Sequence, residues 1–195
     1  MIGRLLIPPR CVACDAPASA LFCELCAVGV SAGPAIQLPG FTSVTACFEL
    51  GGPVEEAIRK LKQGGREDVG AAFGRALRSA VEPGECVVPV PGDPKRTRMR
   101  GFNPPSTLAR AIGAAVLWSA ARRCTSRPPQ RGLGRAERAR NVEGVFRAGN
   151  IVRGRALVIV DDVITTGATA RALGAALIEA GADRCRLLAL AHADR

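Results

Sequence analysis

Long apolar runs are missing from this sequence. The longest, Ala111 to Ala121, is eleven residues, well short of the roughly 18 needed to cross a bilayer. Only Leu5-Leu6-Ile7 precede Pro8-Pro9 as an apolar stretch. No secretory leader is visible there, so a cytoplasmic protein without membrane insertion is expected. No G-x-x-x-x-G-K-[ST] string occurs, which excludes a Walker loop. The only G-x-G, Gly132-x-Gly134, lies in a basic stretch and is no dinucleotide fingerprint. Histidine is a single residue, His192. Acidic residues are outnumbered, 17 against 27 basic. What is present is ordinary for a folded chain: 195 residues, 48% of them apolar. That fits one domain, or one domain with a small appendage, and excludes a disordered chain.

The net charge of +10 has two readings, a nucleic-acid binder or an enzyme for a polyanionic small molecule. Its location narrows them. Residues 96–155 hold 14 Arg, no Lys and two acids, Glu137 and Glu143, a balance of +12; the other 135 residues balance at −2. The same stretch holds only three aromatics, Phe102, Trp118 and Phe146, where single-strand binders interleave stacking rings. Trp118 reads as a core residue. A polyanionic small molecule is therefore the better account, and any nucleic-acid affinity should be salt-sensitive and sequence-independent.

Local patterns outline an α/β chain. Residues 41–50 are strand formers ending at Gly51-Gly52. Pro53 opens a helix with Val54, Ala57, Ile58 and Leu61 on one face. A second helix is expected from Glu67 to Ala80. Cys86 to Val90 reads as a buried parallel strand, followed by a turn and a basic loop from Lys95 to Gly101. A helix follows from Pro104 to about Val116. Residues 122–141, rich in Arg, read as a long loop of the kind that is functional or disordered. Ala156 to Val160 is a second buried strand, then come a helix over Thr169–Ala180 and a last strand near Arg186–Ala191. Strand, helix, strand in this order implies a parallel sheet.

The N-terminal region carries Cys11-x-x-Cys14 and Cys23-x-x-Cys26, with eight residues between the pairs. Each pair puts two thiolates on one tight turn, half of a tetrahedral site. Structural zinc is the favoured reading. A disulfide pair is disfavoured in a reducing cytosol, and an iron–sulfur site has similar spacing. Cys47, Cys86 and Cys185 fall in or beside strands and read as small buried hydrophobes.

The sharpest feature is Val158-Ile159-Val160-Asp161-Asp162-Val163-Ile164-Thr165-Thr166-Gly167-Ala168-Thr169. An apolar strand ends in two carboxylates, then come hydroxyls, a glycine and a helix. Ligands of parallel α/β sheets bind at the carboxyl ends of strands. A helix N-terminus offers free N–H groups and a positive dipole end to a phosphate. Two adjacent carboxylates accept hydrogen bonds from a vicinal diol. A phosphate beside a diol describes a ribose 5-phosphate. A capped turn with an acidic pair would need far less of this twelve-residue string.

The string resembles the phosphoribosyl pyrophosphate (PRPP) signature of type I phosphoribosyltransferases. The rest of the chain is similar to one branch of them, the ComF family, associated with DNA uptake in competent bacteria. The branch features are the cysteine pairs, Lys62, Pro89-Val90-Pro91, Arg96, Arg100-Gly101-Phe102-Asn103, Gln130-x-x-Leu133, Arg138-x-x-Asn141 and Phe146. The resemblance implies a type I phosphoribosyltransferase-like parallel sheet flanked by helices over residues 41–195, after a small zinc-binding module over residues 1–40. It implies that Asp161 and Asp162 hold the ribose hydroxyls and that Thr165, Thr166, Gly167, Ala168 and Thr169 hold the 5-phosphate. Pro89, Val90, Pro91 and Gly92, with Arg96 and Arg100, would face pyrophosphate, and Arg135, Arg138 and Arg140 would neutralise it from the Arg-rich loop. Magnesium accompanies PRPP in such proteins, and the reaction is displacement at C1 by a nucleophile.

One departure matters. Purine-salvage members carry a carboxylate two residues before the glycine, and here that position is Thr165. His192 and Glu143 are weak substitutes as a base, so the acceptor is not identified. Two functions stand side by side: a phosphoribosyltransferase, or a non-catalytic accessory of DNA uptake that binds PRPP, a nucleotide or single-stranded DNA. A competence helicase is the protein partner that the resemblance implies.

Overall fold

A computed structural model describes residues 9–124 and 144–194. In chain order the elements are α1 (Glu24–Ala27), β1 (Ala35–Ile36), β2 (Ser43–Glu49), α2 (Gly52–Gln63), α3 (Glu67–Ala76), β3 (Cys86–Pro89), α4 (Pro94–Arg100), α5 (Pro104–Ile112), β4 (Ala121–Arg123), β5 (Phe146–Ala148), β6 (Ala156–Ile164), α6 (Ala168–Glu179) and β7 (Arg184–His192). The main sheet has the order β1-β2-β7-β6-β3. Four strands run parallel and only β1 is antiparallel. A separate hairpin pairs β4 with β5.

Strand periodicity sorts the core into two layers. Val158 and Val160 of β6 join Val87, Leu188 and Leu190 under α2, α3 and α5. Leu157 and Ile159 join Val88, Leu187 and Ala189 under α6, through its Leu173 and Leu177. These central strands are apolar on both faces, as a sheet covered on both sides requires. The N-terminal region is tied to the first layer by Phe22, whose ring centroid lies 5.9 Å from Phe48 and 6.1 Å from Phe73. At the opposite end of the sheet from the β6 carboxylates, the buried Glu85 is held by Arg186 at 2.9 Å.

The expected parallel α/β sheet and cysteine module are present, and several boundaries differ. The segment read as a basic loop, with Arg96 and Arg100, is helix α4. Asp93 caps it by accepting the Arg96 N–H at 3.0 Å, and Gly101 ends it in the left-handed region at φ 82°. α5 stops at Ile112 because Gly113 turns left-handed. The chain then runs beside β3, bridging Val116 to Val87. β6 continues to Ile164, so Asp161 and Asp162 lie within the strand and not beyond it. Ala168 and Thr169 belong to the first turn of α6. Arg122 and Arg123, placed by the sequence in the long loop, form β4. Trp118 is not core: it is 52% exposed, with the Arg110 guanidinium 5.6 Å from its ring centre. Arg135, Arg138, Arg140, Gln130, Asn141 and Glu143 lie outside the described residues.

Candidate functional site

The end of β6 gathers the acidic pair. Asp162 continues the row of Val158 and Val160 toward α2, and its Oδ2 lies 2.9 Å from Lys62 Nζ. Asp162 Oδ1 accepts the Val163 N–H at 2.8 Å. Asp161 is only 9% exposed, and its Oδ1 accepts the Asp162 N–H at 2.9 Å. Burial and then the charge of Asp162 push the Asp161 carboxyl well above the usual carboxylate range, against the opposing pull of that N–H and of Lys62.

The loop after β6 leads Thr165 and Thr166, both exposed, into Gly167. Gly167 has φ 68°, and a Cβ there would strike the side chain of Leu38. Glycine is needed on both counts. No side chain caps α6, so its first-turn N–H groups remain available to an anion. The Ala168 N–H has only a long contact, 3.4 Å, to Thr166 Oγ1.

Across the sheet edge, the turn after β3 is fixed by its neighbours. The Val90 N–H bonds the Val160 carbonyl at 2.9 Å. Asn103 Nδ2 donates to the Val90 carbonyl at 2.9 Å and to Ser106 Oγ at 3.0 Å. A Cβ at Gly92 would meet Thr97 Oγ1 at 2.5 Å and Asn103 Oδ1 at 2.7 Å. The Arg-Gly-Phe-Asn motif therefore has a structural part: Gly101 ends α4 and Asn103 clamps the turn. The Arg96 N–H bond holds the Asp93 carboxyl below its usual range, and the charges of Arg123 and Arg96 add to this. Lys95, Arg96, Arg98 and Arg100 of α4 are exposed.

The four sequence-predicted cysteines converge. Their Sγ atoms all lie within 4.8 Å of one another, with Cys14 and Cys23 at 3.6 Å. Four soft thiolates on two tight turns are compatible with tetrahedral zinc. Burial pushes the Cys11 thiol up, but the N–H groups of Cys14, Cys23 and Ala13 bring it down to about 6. Burial and the neighbouring thiols push Cys26 up to about 12. Asp15, left-handed at φ 64°, closes the first turn and pairs with Lys60 at 2.5 Å and Arg66 at 3.2 Å. Cys86 and Cys185 are buried as expected, and Cys47 is partly so. A cavity of about 390 Å³ lies between this module and α3, walled by Val12, Leu21, Val69 and three arginines. It is separate from the acidic pair, and Arg66 on its wall is already engaged by Asp15 and Asp68.

Lys62 stands in a motif that gives it no role, Leu38 stands in no motif, and Arg123 belongs to the basic run 122–141. Only the last of these carried a local signal, as one more arginine in a basic stretch.

No family model matches the chain. Curated relatives do. DNA utilization protein YhgH of Escherichia coli K12 is 28% identical over 157 residues, covering 74% of this chain and 69% of the relative. The protein of the same name from Salmonella typhi is 32% identical over 143 residues, covering 67% of this chain and 63% of the relative. The chain is similar to these DNA utilization proteins. This agrees with the resemblance carried by its motifs. Among solved structures it is similar to glutamine PRPP amidotransferase from B. subtilis, at 26% identity and TM-score 0.41, covering 64% of this chain and 26% of that one. It is also similar to a hypoxanthine phosphoribosyltransferase from Staphylococcus aureus, at 14% identity and TM-score 0.39, covering 66% and 64%. Overlaps this loose bear on neither ligand nor reaction.

Proposed function

We propose that the chain binds PRPP with magnesium and transfers its phosphoribosyl group to an acceptor. The observation that carries this reading is the end of β6: an acidic pair, a left-handed glycine turn and an uncapped helix N-terminus in nine residues, 161–169. In this reading Asp161 and Asp162 take the ribose hydroxyls. The backbone of Thr165 to Thr169 takes the 5-phosphate, with threonine hydroxyls as added donors. The turn Pro89 to Gly92, with Arg96 and Arg100 on α4, faces pyrophosphate; Arg135 and Arg138, which would neutralise it, lie outside the described residues. Magnesium held on the substrate would offset charge on the leaving group. The bond from C1 to the pyrophosphate oxygen breaks, pyrophosphate leaves with the electron pair, and a nucleophile bonds C1 from the opposite face. The chain's own residues orient the sugar and stabilise the departing anion. The cysteines hold a structural zinc, since four protein ligands leave no open position.

The test is calorimetric titration with Mg²⁺–PRPP, followed by an assay for pyrophosphate release with nucleobases as acceptors. Binding by the wild type, lost in the double variant Asp161→Asn, Asp162→Asn, is the expected result. Equal affinity in that variant removes the assignment. Binding without pyrophosphate release favours a non-catalytic PRPP sensor.

A second reading has an observation of its own. Trp118 is exposed, with Arg110 over its ring, and the relatives are named DNA utilization proteins. An exposed ring beside Arg110 supplies a stacking surface for a base of single-stranded DNA. Trp118→Ala should then weaken binding of a labelled oligonucleotide at about 0.1 M salt, and the loss should persist as salt screens the phosphate contacts.

A further inference from the structure

The last turn of α2 carries two lysines with different anchors. Lys60 Nζ bonds Asp15 in the first cysteine turn, 2.5 Å away, and Lys62 Nζ meets Asp162 at the end of β6, 2.9 Å away. Between them the helix is seated by Val54, Ala57, Ile58 and Leu61, all buried. Where Lys62 can reach is therefore set by packing as well as by its flexible stem. The pair is partly shielded, with side-chain exposures of 26% for Lys62 and 13% for Asp162, so water screens it less than an open surface pair.

Both oxygens of the Asp162 carboxylate are held. Oδ1 accepts the Val163 N–H, and Oδ2 faces the ammonium. The carboxylate has lost its rotational freedom before any ligand arrives. The charge balance points the same way. Asp161 and Asp162 are adjacent, and a ligand carrying phosphates brings more negative charge to them. A neutral diol offers no cation in return. Three elements near the pair carry titratable groups. α2 supplies Lys62. β7 supplies His192, whose backbone pairs with Ile164. Glu49 on β2 lies one strand further, paired with His192. Among the described residues Lys62 is the cation in contact with the pair.

We propose that Lys62 is a positioning residue of the diol site, fixing Asp162 in the orientation in which the acidic pair accepts two neighbouring hydroxyls. The inference rests on the ribose-phosphate reading above. Lys62 acts through Asp162 and not on the reacting atoms. It also supplies the positive charge that lets two carboxylates stand beside a polyanion.

The test compares wild type with Lys62→Ala, Lys62→Gln and Lys62→Arg in three measurements: thermal midpoint, Mg²⁺–PRPP affinity by calorimetry at pH 6 and 8, and carbon-13 titration of the Asp161 carboxyl. Lys62→Ala and Lys62→Gln should fold and bind PRPP roughly ten- to a hundredfold more weakly, the loss expected for a charged hydrogen bond. Lys62→Arg should recover most of the affinity. The Asp161 titration should move to higher pH in the first two variants and return in the third, which a purely structural role would not produce. Wild-type affinity in folded Lys62→Gln, or an unmoved Asp161 titration, overturns the role of Lys62 and leaves the ribose-phosphate reading standing. Absence of PRPP binding by the wild type overturns that reading and the diol role with it.

Discussion

At the scale of single residues, Asp161 couples stability to ligand binding. Its carboxyl titrates well above the usual range because it is buried beside another acid. Below roughly pH 4 both the folded and the unfolded chain hold this proton, and the group is neutral to stability. As pH rises past that point the unfolded chain releases the proton and the folded chain retains it. Stability therefore falls with rising pH until the folded carboxyl also ionises. Asp161→Asn keeps an acceptor for the Asp162 N–H and removes this penalty. The variant should melt higher than wild type at pH 7. The gap should close by pH 4, and PRPP binding should be lost at either pH; paired calorimetric scans check it. Gly167 is the second such residue. Gly167→Ala meets both a left-handed φ of 68° and the Leu38 side chain. It should lose about 1–2 kcal/mol from the backbone alone, with a further loss that Leu38→Ala relieves. Chemical denaturation of the single and double variants separates the two parts.

At the scale of elements, β3 and β7 are joined at their start by a buried charge. Glu85 has a side-chain exposure of 1%, and Arg186 reaches it and Glu82. Arg186→Ala leaves that carboxylate buried without its cation, and should cost about 3–5 kcal/mol. Urea unfolding should show the midpoint drop, largely restored by pairing the change with Glu85→Gln. Elements also show what was legible in the chain. α2 follows from an apolar face that repeats at helical spacing, and the helix expected over Glu67–Ala80 is α-helical to Ala76 and a tighter 3-10 turn over Leu77–Ala80. α4 was read as a loop because its seven residues have no apolar face, although Asp93, Pro94 and Gly101 were standing helix signals. The extent of β6 was missed because Asp161 and Asp162 look like loop residues, and only pairing with β7 keeps them in a strand.

At the scale of the whole molecule, the cysteine module is tied to the sheet by contacts that include two side-chain clusters. Phe22 packs on Phe48 and Phe73, and Asp15 pairs with Lys60 and Arg66. Removing the metal should therefore do more than unfold the first forty residues. Chelation, or Cys11→Ser, should release about one zinc per chain, expose the Phe48 and Phe73 rings and lower the melting midpoint of the remainder. Metal analysis and hydrogen exchange on α2 and α3 check it. Unchanged exchange there would show that the module is a separate unit.

The sequence by itself determined what depends on neighbours along the chain. The cysteine spacing, the acidic pair before a hydroxyl and glycine loop, the order of strands and helices and the location of the positive charge are all local or periodic facts. The tertiary structure alone decided what depends on distance in space. Lys62 and Asp162 are a hundred positions apart, and no periodicity relates them. Leu38 over Gly167 and Asn103 on the Val90 carbonyl are contacts of the same kind. Trp118 is apolar in composition yet 52% exposed, on a run that passes along the edge of the sheet beside β3.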